Sequence, residues 1–373
     1  MKKRDSFVHQ LLRLPALIML AVTFFAVKAA SSHPAFIEAV YSERVYPAIR
    51  NAVSALTRQA PFSVAEAIAA VLAVLFVVFL IVRLIRLIMF KEHALVRFVS
   101  LIITAVLTVS ALITLFYIMW GFNYFRQPVG EKLALPEREY TAQEIRSVCK
   151  ELAYKACALR SELPENEAGI YAEPIGDTVS GVVSTYTEFG STRPSFRADV
   201  PPAKSLVTSS FFSDAGISGI YIPFTEEPSF NNEEPCIYLP FNIAHETAHY
   251  LGWAHEEDAN FIAFIVGYSS ENKALGYSSC MHALNHLIRA LRPVDPEGVS
   301  EVYSIYTDAV KRDLADYAAF YDAHDTKVRE TSDKINDAYL KANDQEKGVL
   351  SYEEDVALIL RYFDSRGFFD RGA

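Results

Sequence analysis

Phe98 to Trp120, FVSLIITAVLTVSALITLFYIMW, runs for 23 residues without a charge. A stretch this long and apolar has few stable forms in water. Wound as a helix, it covers the roughly 30 Å hydrocarbon core of a bilayer and satisfies its own backbone there. Ala67 to Val82 is a second uncharged run. It reaches a full span if Ser63–Glu66 and Arg83 lie at the two interfaces. Leu11 to Ala30 is a third, with Arg13 and Lys28 near its ends. Its alternative reading is a cleaved signal peptide with Val27-Lys28-Ala29 as the small-residue site, although a lysine there is unfavourable. Three spans are therefore expected, at about 11–30, 63–84 and 98–120. Residues 1–120 then form a membrane region with the lipid bilayer as partner.

The basic residues orient these spans. Lys2, Lys3 and Arg4 precede the first, and Arg83, Arg86, Lys91 and Arg97 crowd the loop between the second and third. The longer loop 31–62 holds Arg44, Arg50 and Arg58. By the positive-inside rule the N-terminus and the second loop are cytoplasmic and residues 121–373 are extracytoplasmic. Charge divides the same way. Residues 1–120 hold 12 Lys+Arg and 5 Asp+Glu, net +7, whereas the remainder holds 23 against 40, net −17. An outer part this acidic argues against a nucleic-acid partner. All four cysteines, Cys149, Cys157, Cys236 and Cys280, lie in it, where they can pair, and none has the spacing of a zinc site. Cys149 and Cys157 are too far apart along a straight helix to bond each other.

The outer part contains HETAHYLGWAHEEDANF, His245 to Phe261. On a helix, His245 and His249 project from one face and can hold one zinc ion, with Glu246 beside them to take a proton from water. Asn242 is a plausible N-cap, and Gly252 falls where a left-handed residue would end the helix and turn the chain back. Two candidates for a third ligand follow. His255 completes HExxHxxGxxH, the metzincin pattern, but that site needs a methionine turn, and the only downstream methionine is Met281 in the helical-looking CMHALNHLIRAL. Glu256 opens EEDANFIAF, which resembles the E-x-x-A-(D/N) helix that supplies a glutamate in gluzincins. The connection to it is shorter than is usual there. The helical signature favours Glu256, with Asn260 one turn on to orient a ligand. His282 and His286 form a second pair four apart, read as ordinary helix histidines.

Around this motif, Thr141 and Glu144 make a capping box for a helix running to about Arg160. Residues 164–215 read as loops and short strands. Gly216 to Phe224, GISGIYIPF, reads as a strand, either in the core or as an edge for an extended peptide. Helices follow over Asp258–Tyr268, Ser279–Leu291, Val299 to about Tyr321, and Val328–Ala342, and Gly121 to Pro136 reads as a juxtamembrane linker. The fold class is α+β, helix-rich, with a small sheet over the HExxH helix.

The chain resembles a family of uncharacterised bacterial membrane proteins, a domain of unknown function with zincin-like motifs. The resemblance rests on three N-terminal spans, WGFNYFRQP, GISGIYIPF, LPFNIAHETAHYLGWAHEEDANFIAF and SDKINDAYLKANDQEKGVLSY. It implies His245, His249 and Glu256 as zinc ligands, Glu246 as catalytic base and Asn260 beside them, since a basic residue is usual at the position of His255. Asp258 and Trp253 depart from the glutamate and phenylalanine usual there. The expectation is a membrane-anchored zinc metallopeptidase of the bacterial cell membrane that acts on an unidentified protein or peptide. The alternative is a non-catalytic zincin-fold module, structural or sensory, for an envelope partner.

Overall fold

Four consecutive side chains go once round an α-helix. On the helix Val64–Met89, Val74, Leu75, Phe76, Val77 and Val78 are all exposed, so apolar surface faces outward on every side. Such a helix suits lipid and not water. The computed structural model describes residues 14–89, 94–342 and 352–372. Lys2, Lys3, Arg4, Arg13, Lys91 and residues 343–351 lie outside the described residues.

The chain divides into two compact units. One gathers the residues up to Arg50, Val64–Arg126 and Pro223–Thr225. Its helices are α1 (Leu14–Ser31), the start of α2 (Tyr46–Thr57), α3 (Val64–Met89) and α4 (Ala94–Met119). Two stretches, Val64–Arg86 and Leu101–Met119, are long and apolar enough to cross a membrane. A bent pair, Ile18–Ser31 and Pro34–Thr57, makes a third span only if counted as one, because it turns through 103°. The bend lies beside Pro34, which opens a short helical turn, and the chain then passes through π-helical Ile37–Val45 into α2.

Two buried polar pairs of this unit are matched inside it. Thr23 Oγ1 and Thr114 Oγ1 meet at 2.9 Å across α1 and α4, and each also bonds back to its own helix. Arg126 holds Glu38 with two parallel hydrogen bonds of 2.9 and 2.8 Å, both side chains buried. The segment read as a linker starts folded. Gly121–Phe125 is a 3-10 turn, and Trp120, Tyr124 and Phe125 are buried.

The second unit comprises Asn51–Ser63, Gln127–Ile222 and the chain from Glu226 on. It is mostly helical with one small sheet, a helix-heavy form of the expected α+β class. The Thr141–Glu144 capping box starts α5 (Ala142–Arg160) as its sequence predicts. The region read as loops contains a 17-residue helix, α6 (Ile175–Ser191). Its Gly, Ser, Thr and Val residues give it poor intrinsic propensity. Burial of one face through Val182, Tyr186 and Phe189 stabilises it instead, with Tyr186 Oη donating to Ala244 O at 2.6 Å. The sheet has strands β1 (Lys204–Ser205), β2 (Gly219–Ile222) and β3 (Glu227–Phe230) in the order β1-β3-β2, with β3 parallel to β1 and antiparallel to β2. The core follows: α7 (Leu239–Tyr250), α8 (Glu256–Tyr268) and α9 (Lys273–Leu291). α7 packs against α6, α8, α9 and strands β2 and β3. Beyond it lie α10 (Pro296–Ile305), α11 (Asp308–Ala323), α12 (Lys327–Ala342) and α13 (Tyr352–Ser365). The single helix expected over 299–321 is two, because Thr307 caps a new one by accepting from Val310 N.

A buried ionic network ties α5 to α11. Arg160, 1 % exposed, donates to Asp313 Oδ2 at 2.5 Å and Oδ1 at 3.1 Å. Asp313 also accepts from Tyr171 N at 2.9 Å and Tyr277 Oη at 2.8 Å. Removing Asp313 leaves buried Arg160 with only Glu165, 2.9 Å away and partly exposed, to match its charge. Asp313→Ala should therefore destabilise the fold by about 3 kcal/mol. Denaturant unfolding of the detergent-purified chain measures this, and an unchanged midpoint would refute it.

Candidate metal centre

Helix α7 begins earlier than Asn242. Tyr238 is the N-cap and Pro240 lies in the first turn, where its missing N–H costs nothing. Asn242 is inside the helix, its N–H bonded to Tyr238 O at 2.9 Å. From this helix His245 and His249 project together as their spacing requires, with their Nε2 atoms 3.0 Å apart and their rings at 90°.

A tight reversal follows. Gly252 takes φ +89°, its N–H bonds His249 O at 2.9 Å, and Trp253 N–H reaches Ala248 O at 3.2 Å. This is a Schellman turn, with glycine where a side chain would be strained. Trp253 is fully buried and stacks on Phe196 at 5.8 Å. Its carbonyl lies 2.7 Å from His249 Nδ1. In the neutral ring the Nδ1–H donates to that carbonyl, which leaves Nε2 as the lone-pair nitrogen facing His245. His255 is then the N-cap of α8 and Glu256 its first residue. The Glu256 carboxylate reaches back to His245 Nε2 at 3.2 Å and His249 Nε2 at 3.5 Å. One ligand atom from each of His245, His249 and Glu256 lies within 4.8 Å of the others. His255 is outside this group and sits 3.7 Å from Glu257 instead.

Glu246 faces β2. Gly219 passes so close that a Cβ there would meet Glu246 Oε1 at 2.7 Å. The backbone N–H of Tyr221 donates to the Glu246 carboxylate. Ser218 O accepts from Asn231 N at 2.9 Å, and the ladder alternation then turns the backbone groups of Gly219 and Tyr221 away from β3. Pro228, lacking an N–H, stands opposite Tyr221 as that pattern allows. The expected strand over 216–224 is thus real but shorter, and it lies at the sheet edge.

Burial pushes Glu246 up to about 7, against the pull of His245 and His249. Burial also works against a charged Glu256, yet the two imidazoles beside it hold its carboxyl far below the usual carboxylate range. His249 is buried, which disfavours its cation, but Glu256 and Glu246 raise it to about 9. Two imidazoles and two carboxylates in one buried cluster thus favour a positive charge among them. The cluster is open on one side, since Glu256 keeps 27 % of its side chain exposed.

Other candidates fall into place around it. Asn260 is buried one turn beyond Glu256. Met281 lies inside α9, in a helix and not a turn. All four cysteines are free. The hydroxyl of Tyr221, whose ring is 6.5 Å from His249, is engaged by Glu226. His282 and His286 are joined by Asp355 in a second cluster, which sequence spacing alone gives no means of finding. The roles of the Trp253 carbonyl and of Gly219 likewise leave no periodic signal in the sequence.

Residues 41–360 match a family described as protein of unknown function, DUF3810. That is most of the chain, and the protein belongs to this family. No curated protein and no solved structure matches it.

Gly252→Ala forces an L side chain into the left-handed region. The expected loss is about 1–2 kcal/mol of stability. Thermal unfolding of the variant beside the parent measures it, and an equal midpoint would mean that the turn adapts.

Proposed function

We propose that this chain is a membrane-anchored, zinc-dependent peptidase whose site faces outward from a bacterial cell membrane. The observation that carries it is the convergence of His245, His249 and Glu256 beside buried Glu246 at a sheet edge. The donor set fits zinc. The two imidazole nitrogens lie 3.0 Å apart, and the Glu256 carboxylate presents Oε2 to His245 Nε2 at 3.2 Å and Oε1 to His249 Nε2 at 3.5 Å. Neighbouring ligands around a tetrahedral ion with bonds near 2.05 Å are separated by about 3.3 Å. His249 Nε2 is also the nitrogen left with a lone pair by its Trp253 hydrogen bond.

When bound, zinc supplies Lewis acidity and water of lowered pKa. The chain's own residues do the rest. Glu246 is the general base. Its carboxylate takes a proton from the attacking water and returns it to the leaving amine nitrogen. Burial raises this carboxyl, which favours its accepting the proton. Tyr221 N–H holds this carboxylate in place, and Gly219 has no side chain to displace it. The outward backbone groups of Gly219 offer an extended peptide one rung of a strand.

Two tests apply. The purified chain, free of a histidine tag, should hold zinc at its first cluster, with that binding lost in His249→Ala and Glu256→Ala and kept in His255→Ala. Glu246→Gln should keep the metal and lose peptide cleavage by at least about a hundredfold. Equal cleavage by that variant would sink the mechanism.

One observation favours a second reading, a non-catalytic module for an envelope partner. The Tyr221 hydroxyl, the one on the ring beside His249, donates to Glu226 and so is not directed at a developing oxyanion. On that reading Glu246→Gln has no phenotype while deletion does.

Orientation rests on Arg83, Arg86, Lys91 and Arg97 between the two apolar runs. In spheroplasts, added protease should digest residues 127–373. Full protection with intact spheroplasts would reverse the assignment.

A further inference from the structure

Helix α9 carries a second histidine pair at the same spacing as the first. His282 and His286 are four residues apart on one face, with ring centroids 4.4 Å apart. Helix α13 brings Asp355 to them, its Oδ2 lying 2.7 Å from His286 Nδ1. One ligand atom from each of the three falls within 4.8 Å of the others. Asp355 is 1 % exposed, and among the described residues neither of its oxygens accepts a well-formed hydrogen bond. Among the described residues no lysine or arginine pairs with it. A carboxylate taken out of water without donors costs several kcal/mol unless positive charge compensates it. The atoms that face it are imidazole nitrogens, which are metal ligands when neutral.

We propose that His282, His286 and Asp355 form a second divalent-cation site, of the zinc class, that pins α13 to α9. Two imidazoles and one carboxylate are a donor set for zinc or cobalt, and not one for calcium or magnesium, which take oxygen ligands. The three ligands come from two helices separated by more than sixty residues of chain. A cation held by them closes that loop in the folded state only, so its binding energy becomes stability. The site is distinct from the first cluster but adjoins it. The Phe241 ring of α7 stacks on His282 with centroids 3.7 Å apart and lies 6.5 Å from His245. Phe241 thus buttresses one ligand of each cluster.

This proposal does not rest on the peptidase reading, and its test separates the two. The full chain, tag-free and in detergent, is stripped with a chelator and reloaded with Zn2+ alone or Co2+ alone. Metal per chain and the thermal midpoint are then measured. His245→Ala/His249→Ala, which lacks both imidazoles of the first cluster, should still bind about one zinc per chain and melt higher with zinc than without. Adding Asp355→Asn or His282→Ala should bring zinc to near zero and abolish that rise. His282→Ala leaves the His286–Asp355 pair intact, so it decides the matter if Asp355→Asn fails to fold, as circular dichroism would show. Cobalt in the His245→Ala/His249→Ala background should give visible absorption that is lost with His282→Ala. No zinc in His245→Ala/His249→Ala overturns the proposal whatever the first cluster does. So does one zinc per chain that survives His282→Ala.

Discussion

The hydrogen bond from His249 Nδ1–H to the Trp253 carbonyl is the contact on which the geometry of the His245–His249–Glu256 cluster depends. It joins a ring orientation to a chain reversal. The carbonyl is in place only because Gly252 takes a positive φ and Trp253 is driven into the core. That reversal lets α8 begin at Glu256, with its first carboxylate facing the helix just left. The bond itself is worth about 1 kcal/mol. Its larger effect is to fix which imidazole nitrogen faces His245 and Glu256.

Burial sets the character of this region. Helix α8 is apolar on nearly all sides and packs against α7, α9 and α13. Polar side chains inside such a core must have their charges matched. The Arg160–Asp313 network does this with a guanidinium fork and two further donors, a self-contained arrangement suited to structure. The two histidine–carboxylate clusters leave lone pairs converging on a point, which suits a cation. Only the first of them meets a sheet edge and keeps a carboxylate partly exposed. Its neighbour is more deeply enclosed by helix packing, as a structural site would be.

Much of this was legible in the chain. Side chains four apart on a helix share a face whatever the fold, so both histidine pairs were readable. Gly252 as a helix stop and Thr141–Glu144 as a capping box were readable for the same local reason. The two long apolar runs announced their helices by composition alone. Other elements misled. Asn242 is a good N-cap by type, but Pro240 already starts the helix. The Gly- and Thr-rich stretch 175–191 looked irregular, yet it is a helix because three of its side chains find the core. The 299–321 run looked continuous, yet it breaks where Thr307 caps a new helix.

By itself, then, the amino-acid order determined which segments are apolar enough to leave water, which faces carry paired imidazoles, and where one helix must stop. Each of these is a property of neighbours within about one helical turn. The helical signature after the motif favoured Glu256 over His255, but which of them reaches the pair is decided by the tertiary structure. It turns on the direction in which α8 leaves a buried tryptophan. The same holds for the approach of Gly219 to Glu246 and of Asp355 to His286. Those contacts join residues far apart in the chain, and only close packing of whole elements brings them within hydrogen-bonding distance.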